Sequence, residues 1–189
     1  LTSAGFAASS ILASSAFAED INKIFTKVNE YVAEKQYSKA LKELSWAEKE
    51  LQKLHSTRLA DFLPETVAGY TGEKPESNNA LGFMSIERTY KGEGKTVKAS
   101  ILGGSGAVTS GLASLGAMAA AFGAMDPSVE TIRIDGRTAT LRKQGVTYPE
   151  LTVTLDGGTM VKFEGVKGDA DLKAFAESFN LSELEKYLK

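Results

Sequence analysis

The period of the hydrophobic pattern changes once along this chain, and that change decides what it can fold into. Up to Leu63, apolar residues return every three to four positions, the spacing of one helix face. Beyond Asn79 they alternate with polar residues, the spacing of a half-buried strand. Pro64 and the turn-rich run Gly69–Asn79 lie between the two regimes. The expected fold class is therefore α+β: an N-terminal helical hairpin followed by an antiparallel sheet of about six strands packed with helices.

In the first regime Asp20 is placed to cap a helix whose stripe is Ile21, Ile24, Phe25, Val28, Tyr31 and Val32. The pattern breaks at Lys35-Gln36-Tyr37-Ser38 and resumes through Tyr37, Ala40, Leu41, Leu44, Ala47, Leu51 and Leu54. It extends toward Leu59 and Phe62 until Pro64 stops the helix. Residues 19–64 thus form the hairpin. His55 projects with Leu44 and Leu51, the place of a packed histidine. Trp46 projects the other way, among Lys42, Glu43, Lys49, Glu50 and Lys53. Two readings of Trp46 stand: a ring lying under lysine stems, or a partner contact.

Tyr37-Ser38-Lys39-Ala40-Leu41-Lys42-Glu43-Leu44, with Ala47, resembles the turn and second helix of a tetratricopeptide repeat. The resemblance implies close helix packing at Ala40 and Ala47. It covers one hairpin, and no second copy follows at a period of about 34 residues, so a generic hairpin reading stands beside it.

Residues 65–80 read as a linker and 81–189 as an α+β domain. Phe83 to Tyr90 and Thr96 to Leu102 flank Lys91-Gly92-Glu93-Gly94 as a hairpin. Val129 to Ile134 and Thr138 to Arg142 flank Asp135-Gly136, a strong short-turn signal. Leu151, Val153 and Leu155 alternate with threonines, Asp156-Gly157-Gly158 turns, and Met160 to Val166 returns. Asp169 or Asp171 is placed to cap a helix through Leu172, Phe175, Ala176 and Phe179. Ser182-Glu183-Leu184-Glu185 reads as a capping box opening a last helix. Arg133, Asp135, Arg137, Arg142 and Lys143 gather around one hairpin. They read as a solvated face with weak ion pairs, or as a place for an anionic ligand.

From Ala99 to Met125 there is no charged residue. Gly103-Gly104-Ser105-Gly106 follows a strand, but no Gly-Lys-Ser/Thr follows, so a phosphate loop is disfavoured. A membrane span is disfavoured by Ser105, Thr109, Ser110 and Ser114. Val108, Leu112, Leu115, Ala119, Phe122 and Met125 make one stripe, so residues 107–124 are expected as a helix packed on the sheet. Its back carries Ser110, Ser114, Ala117, Ala121 and Ala124, small residues suited to a second packing partner.

Every charged residue lies after position 18. Leu1–Ala18 is a weakly apolar run ending Ala16-Phe17-Ala18, the pattern that signal peptidase accepts. Residues 1–18 are therefore expected to be a truncated secretory signal, and the protein periplasmic or extracellular, with a mature chain that does not span the membrane. Lys and Arg number 22 against 24 Asp and Glu, which argues against a broad grip on nucleic acid. With no cysteine and one histidine, thiolate chemistry and any two-imidazole site within one chain are excluded. No cofactor or metal site is expected, and no catalytic residue stands out.

Leu44-Ser45-Trp46-Ala47 leading to Phe62-Leu63-Pro64, then a β-hairpin and a Gly/Ala-rich helix, resembles a group of exported bacterial proteins of unknown function. The resemblance implies envelope localisation and supplies no active site. The functional expectation is an exported, non-catalytic protein-interaction or structural protein with a protein partner or self-association. Its contact residues would be Trp46, Ser110, Ser114, Ala117 and Ala121. The alternative is a small-ligand or lipid-binding periplasmic protein with a pocket between the sheet and helix 107–124.

Overall fold

A computed structural model describes residues 9–80, 83–104, 128–143, 148–167 and 171–189. The chain divides into two compact units, residues 1–55 and 56–189. The expected helix 107–124, with Ser110, Ser114, Ala117 and Ala121, lies outside the described residues.

The first unit is the helical hairpin. Helix α1 spans Ser9–Ala33 and α2 spans Tyr37–Ala60. Asp20 does not start α1, because the Ala- and Ser-rich residues before it continue the helix. The expected cleavage point after Ala18 therefore lies within helix rather than at a break. Three residues turn the chain. Gln36 donates its backbone N–H to Tyr31 O at 2.7 Å, and Lys35 takes a positive φ of 57°. Ile21, Val28, Ala40 and Ala47 are the buried apolar residues of this unit among those described.

The second unit is built on an antiparallel sheet, nine-stranded among the described residues. Its strands are β1 (Thr66–Val67), β2 (Tyr70–Gly72), β3 (Glu76–Ala80), β4 (Phe83–Gly92), β5 (Lys95–Gly104), β6 (Val129–Ile134), β7 (Arg137–Arg142), β8 (Glu150–Thr154) and β9 (Met160–Lys167). The order is β1-β2-β4-β5-β9-β8-β7-β6, and β3 also pairs with β4. The three expected hairpins are β4–β5, β6–β7 and β8–β9. The strand count exceeds six because β1, β2 and β3 occupy the stretch read as a linker. There, Thr71 opposes Lys91 and Ser77 opposes Ile86, so β2 and β3 follow one another along the same edge of β4.

The two faces of the sheet differ. Ile86, Tyr90, Val97, Ala99, Ile101, Leu151, Val153, Val161 and Phe163 point to one face and are fully buried. The other face carries a cross-strand charge ladder. Lys98 lies 3.9 Å from Glu87 and 3.5 Å from Glu164, and Lys162 lies 3.5 Å from Glu164 and 2.9 Å from Glu150. Period-2 alternation produces this split directly.

The apolar face is covered by α3 (Leu172–Glu177) and α4 (Leu181–Leu188), with Leu59 and Leu63 from the end of α2 and the turn after it. Phe175 is the hub, its ring 5.0 Å from Tyr70, 5.4 Å from Tyr90 and 5.2 Å from Phe179. Asp171 caps α3 by accepting from the backbone N–H groups of Lys173 and Ala174. The cap of α4 is Asn180, which accepts from Glu183 N, rather than Ser182. The capping pattern begins two residues earlier than the Ser182 reading places it, and that frees Ser182 and Glu185 for other work.

Candidate functional site

The hairpin buries Ile21 and Val28 together with the small Ala40 and Ala47, and leaves several large apolar side chains open. Phe25, Val32, Leu44 and Leu51 are 40–49% exposed and Leu41 is 67% exposed. Their positions follow from helix geometry. Taking Ile21 and Val28 as the buried line of α1, Phe25 and Val32 fall about 20–40° to one side at 3.6 residues per turn. Leu44 and Leu51 fall about 20–40° to the same rotational side of Ala40 and Ala47 on α2. Two antiparallel helices turn the same rotational sense toward the same side of a hairpin. All four side chains, with Leu41 beyond them, therefore share one side.

That side is nearly free of charge. Asn22, Thr26 and Asn29 border it on α1, and Ser45, Glu48 and Gln52 on α2. From Lys23 to Lys53 every other charged helical residue projects elsewhere by the same geometry. The Glu48 carboxylate accepts from Gln52 Nε2 at 3.2 Å. The open side chains expose on the order of 500 Å² of apolar surface, the size of patch that on a monomer is often functional.

Trp46, the expected contact residue, is 54% exposed on a different side of α2. Lys49 Nζ lies 5.5 Å from its ring centroid, a cation–π arrangement of modest value at an exposed site. The structure thus separates Trp46 from the open apolar side. His55 is partly buried, and loss of hydration lowers its pKa below the usual 6.5. Of the other expected contact residues, Ser110, Ser114, Ala117 and Ala121, none lies within the described part of the chain.

The arginines around the β6–β7 hairpin do not act together. Arg133 and Arg142 are exposed on the polar face of the sheet, whereas Arg137 points to the opposite face. Arg137 Nη1 donates to Asp135 Oδ2 at 2.6 Å, and Nη2 donates to Glu185 Oε2 at 2.8 Å. Glu185 Oε1 accepts the backbone N–H of Asp156 at 2.8 Å, and Ser182 Oγ donates to Asp135 Oδ2 at 3.1 Å. The Asp156 N–H first, and then Arg137, hold the Glu185 carboxyl below the ordinary carboxylate range. This clasp joins two hairpin turns to α4. The sequence suggested a ligand site there, but the guanidinium is already engaged by its own chain.

A cleft of about 620 Å³ opens at the other end of the sheet. It is lined by Lys95, Lys143 and Lys173, by Ile132, Leu141, Leu172 and Pro149, and by Glu130 and Asp171. Among the described residues, no three His, Cys, Asp or Glu side chains gather in a way that could hold a metal ion. Among those residues, too, no helix is long and apolar enough to cross a membrane. No family model, curated protein or solved structure matches this chain.

Proposed function

We propose that this chain is an exported, non-catalytic protein that works through protein contacts, and that the open side of its hairpin seats against the same side of a second copy. The observation that carries the reading is the charge-poor apolar side formed by Phe25, Val32, Leu44 and Leu51. Two such sides face to face would bury about 1,000 Å², the threshold for a specific interface. A twofold pairing sets each patch against its own copy, and a surface almost without charge meets itself without like-charge repulsion. The pairing would complete a four-helix arrangement around residues that one hairpin leaves open. Export rests on Leu1–Ala18 and its Ala16-Phe17-Ala18 ending.

Size-exclusion chromatography with light scattering on the full chain tests the contact. A dimer is expected at tens of micromolar, and Leu44→Lys with Leu51→Lys is expected to give a monomer with unchanged helical circular dichroism. A monomeric wild type, or a dimer that survives both lysines, overturns the proposed surface. Trp46→Ala, measured alongside, reports on the other side of α2 and is expected to leave the dimer intact.

A further inference from the structure

We infer that the cleft at the β4–β5 end of the sheet binds an amphipathic anion, a carboxylate carrying an apolar tail. The inference is independent of the hairpin contact, because it stands on the second unit alone.

The cleft combines two features that one ligand class satisfies. Its floor is apolar. Ile132 and Pro149 are half-buried and line the opening, next to the buried core residues Leu141 and Leu172. Its rim is cationic. Lys95 begins β5, Lys143 follows β7 and Lys173 lies in the first turn of α3, so three separate elements bring ammonium groups to one opening.

Among the described residues, those ammonium groups are uncommitted. The lysines in ion pairs of the sheet, among the described residues, are Lys91, Lys98 and Lys162, and none of Lys95, Lys143 and Lys173 has a carboxylate of those residues within 4.0 Å. Of the two acids at the border, Asp171 spends Oδ1 on the backbone N–H groups of Lys173 and Ala174. Three lysines against Glu130 and Asp171 leave the described lining with one net positive charge.

A volume of about 620 Å³ falls within the range of small-molecule sites. An aliphatic tail on Ile132 and Pro149 would remove their remaining apolar surface from water. A carboxylate at the rim would meet three flexible donors, which suits a head group whose position shifts with tail length. A purely polar anion would leave the floor wet, and an apolar cation would meet the lysines.

Isothermal titration of the full chain with dodecanoate, below its micellar range, tests this. Saturable one-to-one binding is expected, accompanied by a rise in the unfolding midpoint. Acetate, which has the head without the tail, is expected not to bind. Dodecyltrimethylammonium, with the same tail and opposite charge, is expected to bind at least tenfold more weakly. Lys143→Glu with Lys173→Glu should weaken dodecanoate at least tenfold while leaving the circular dichroism unchanged. Absence of dodecanoate binding, equal binding of the cationic analogue, or full binding by the double variant each overturns the inference. The hairpin variant Leu44→Lys/Leu51→Lys should bind dodecanoate as the wild type does, so failure of the dimer and failure of the cleft are read separately.

Discussion

Arg137 and Glu185, 48 residues apart, meet through a 2.8 Å hydrogen bond, and their side chains are only 13% and 14% exposed. The bond fastens the β6–β7 hairpin to the last helix. Glu185 simultaneously takes the backbone N–H of Asp156, so one carboxylate holds two turns that local sequence alone would leave independent.

Glu185→Gln should cost about 1.5–3 kcal/mol, the range for hydrogen bonds to charged groups, and leave Arg137 with Asp135 alone as its acid. The pH dependence follows from the lowered pKa. The folded state releases the Glu185 proton more readily than the unfolded chain, so the contribution is complete above the ordinary value of 4.5 and disappears as pH falls through the depressed value. Urea unfolding of wild type and variant should therefore differ fully at pH 6 and converge in strongly acidic solution. A gap that persists unchanged at low pH would show that the loss is packing rather than charge.

Glu93 occupies a positive φ of 48° in the β4–β5 turn, followed by Gly94 at 77°. Both central residues of the turn are thus left-handed, the geometry that favours Asn-Gly. Glutamate has no local side-chain bond to offset that conformation, whereas asparagine tolerates it. Glu93→Asn should stabilise by about 0.5–1 kcal/mol, a value borrowed from compatible turn substitutions. Thermal unfolding would show it as a higher midpoint with no change in the folded spectrum.

What the sequence makes legible depends on whether side chains or backbone hold an element. The six later strands bury one face, so Ile86, Val97, Val153 and Val161 alternate visibly with Glu87, Lys98, Thr154 and Lys162. Strand β3 reads Glu76-Ser77-Asn78-Asn79-Ala80 and joins through ladder hydrogen bonds to β4. Its composition is that of a loop, and nothing in an apolar count reveals it. The hairpin shows the reverse. Its stripe is legible, but periodicity cannot tell which apolar residues are covered, because Ala40 and Leu44 share a face while only Ala40 is buried. The cleft was illegible for a third reason, since Lys95, Lys143 and Lys173 come together only through strand order and the placement of α3.

Arg88 is 8% exposed on the apolar face of β4, and among the described residues its Nε and Nη1 have no hydrogen-bond partner. A buried cation whose donors are unmet costs stability that an apolar side chain of similar length avoids. Arg88→Met should therefore raise stability, by about 1–3 kcal/mol on the scale of an unsatisfied buried donor. Denaturant unfolding measures it directly. A loss of stability instead would show that the packing of the Arg88 stem and its remaining contacts outweigh the cost of the unmet donors.

Gly72 lies beside the same side chain. A Cβ built there would come within 2.6 Å of Arg88 Cδ and 3.0 Å of the Tyr90 ring. The Tyr90 side cannot yield easily, because its hydroxyl donates to Pro64 O at 2.9 Å and its ring packs on Phe175 and Phe179. The Arg88 side can yield only by moving the middle of a buried stem. Gly72→Ala should thus cost about 1–3 kcal/mol, the usual range for overpacking. Shortening the stem should remove the closer clash, so Gly72→Ala placed on an Arg88→Ala background should cost less than on the wild type. A double-mutant cycle by urea unfolding reads that coupling, and additive effects would show that Tyr90, rather than Arg88, enforces the glycine.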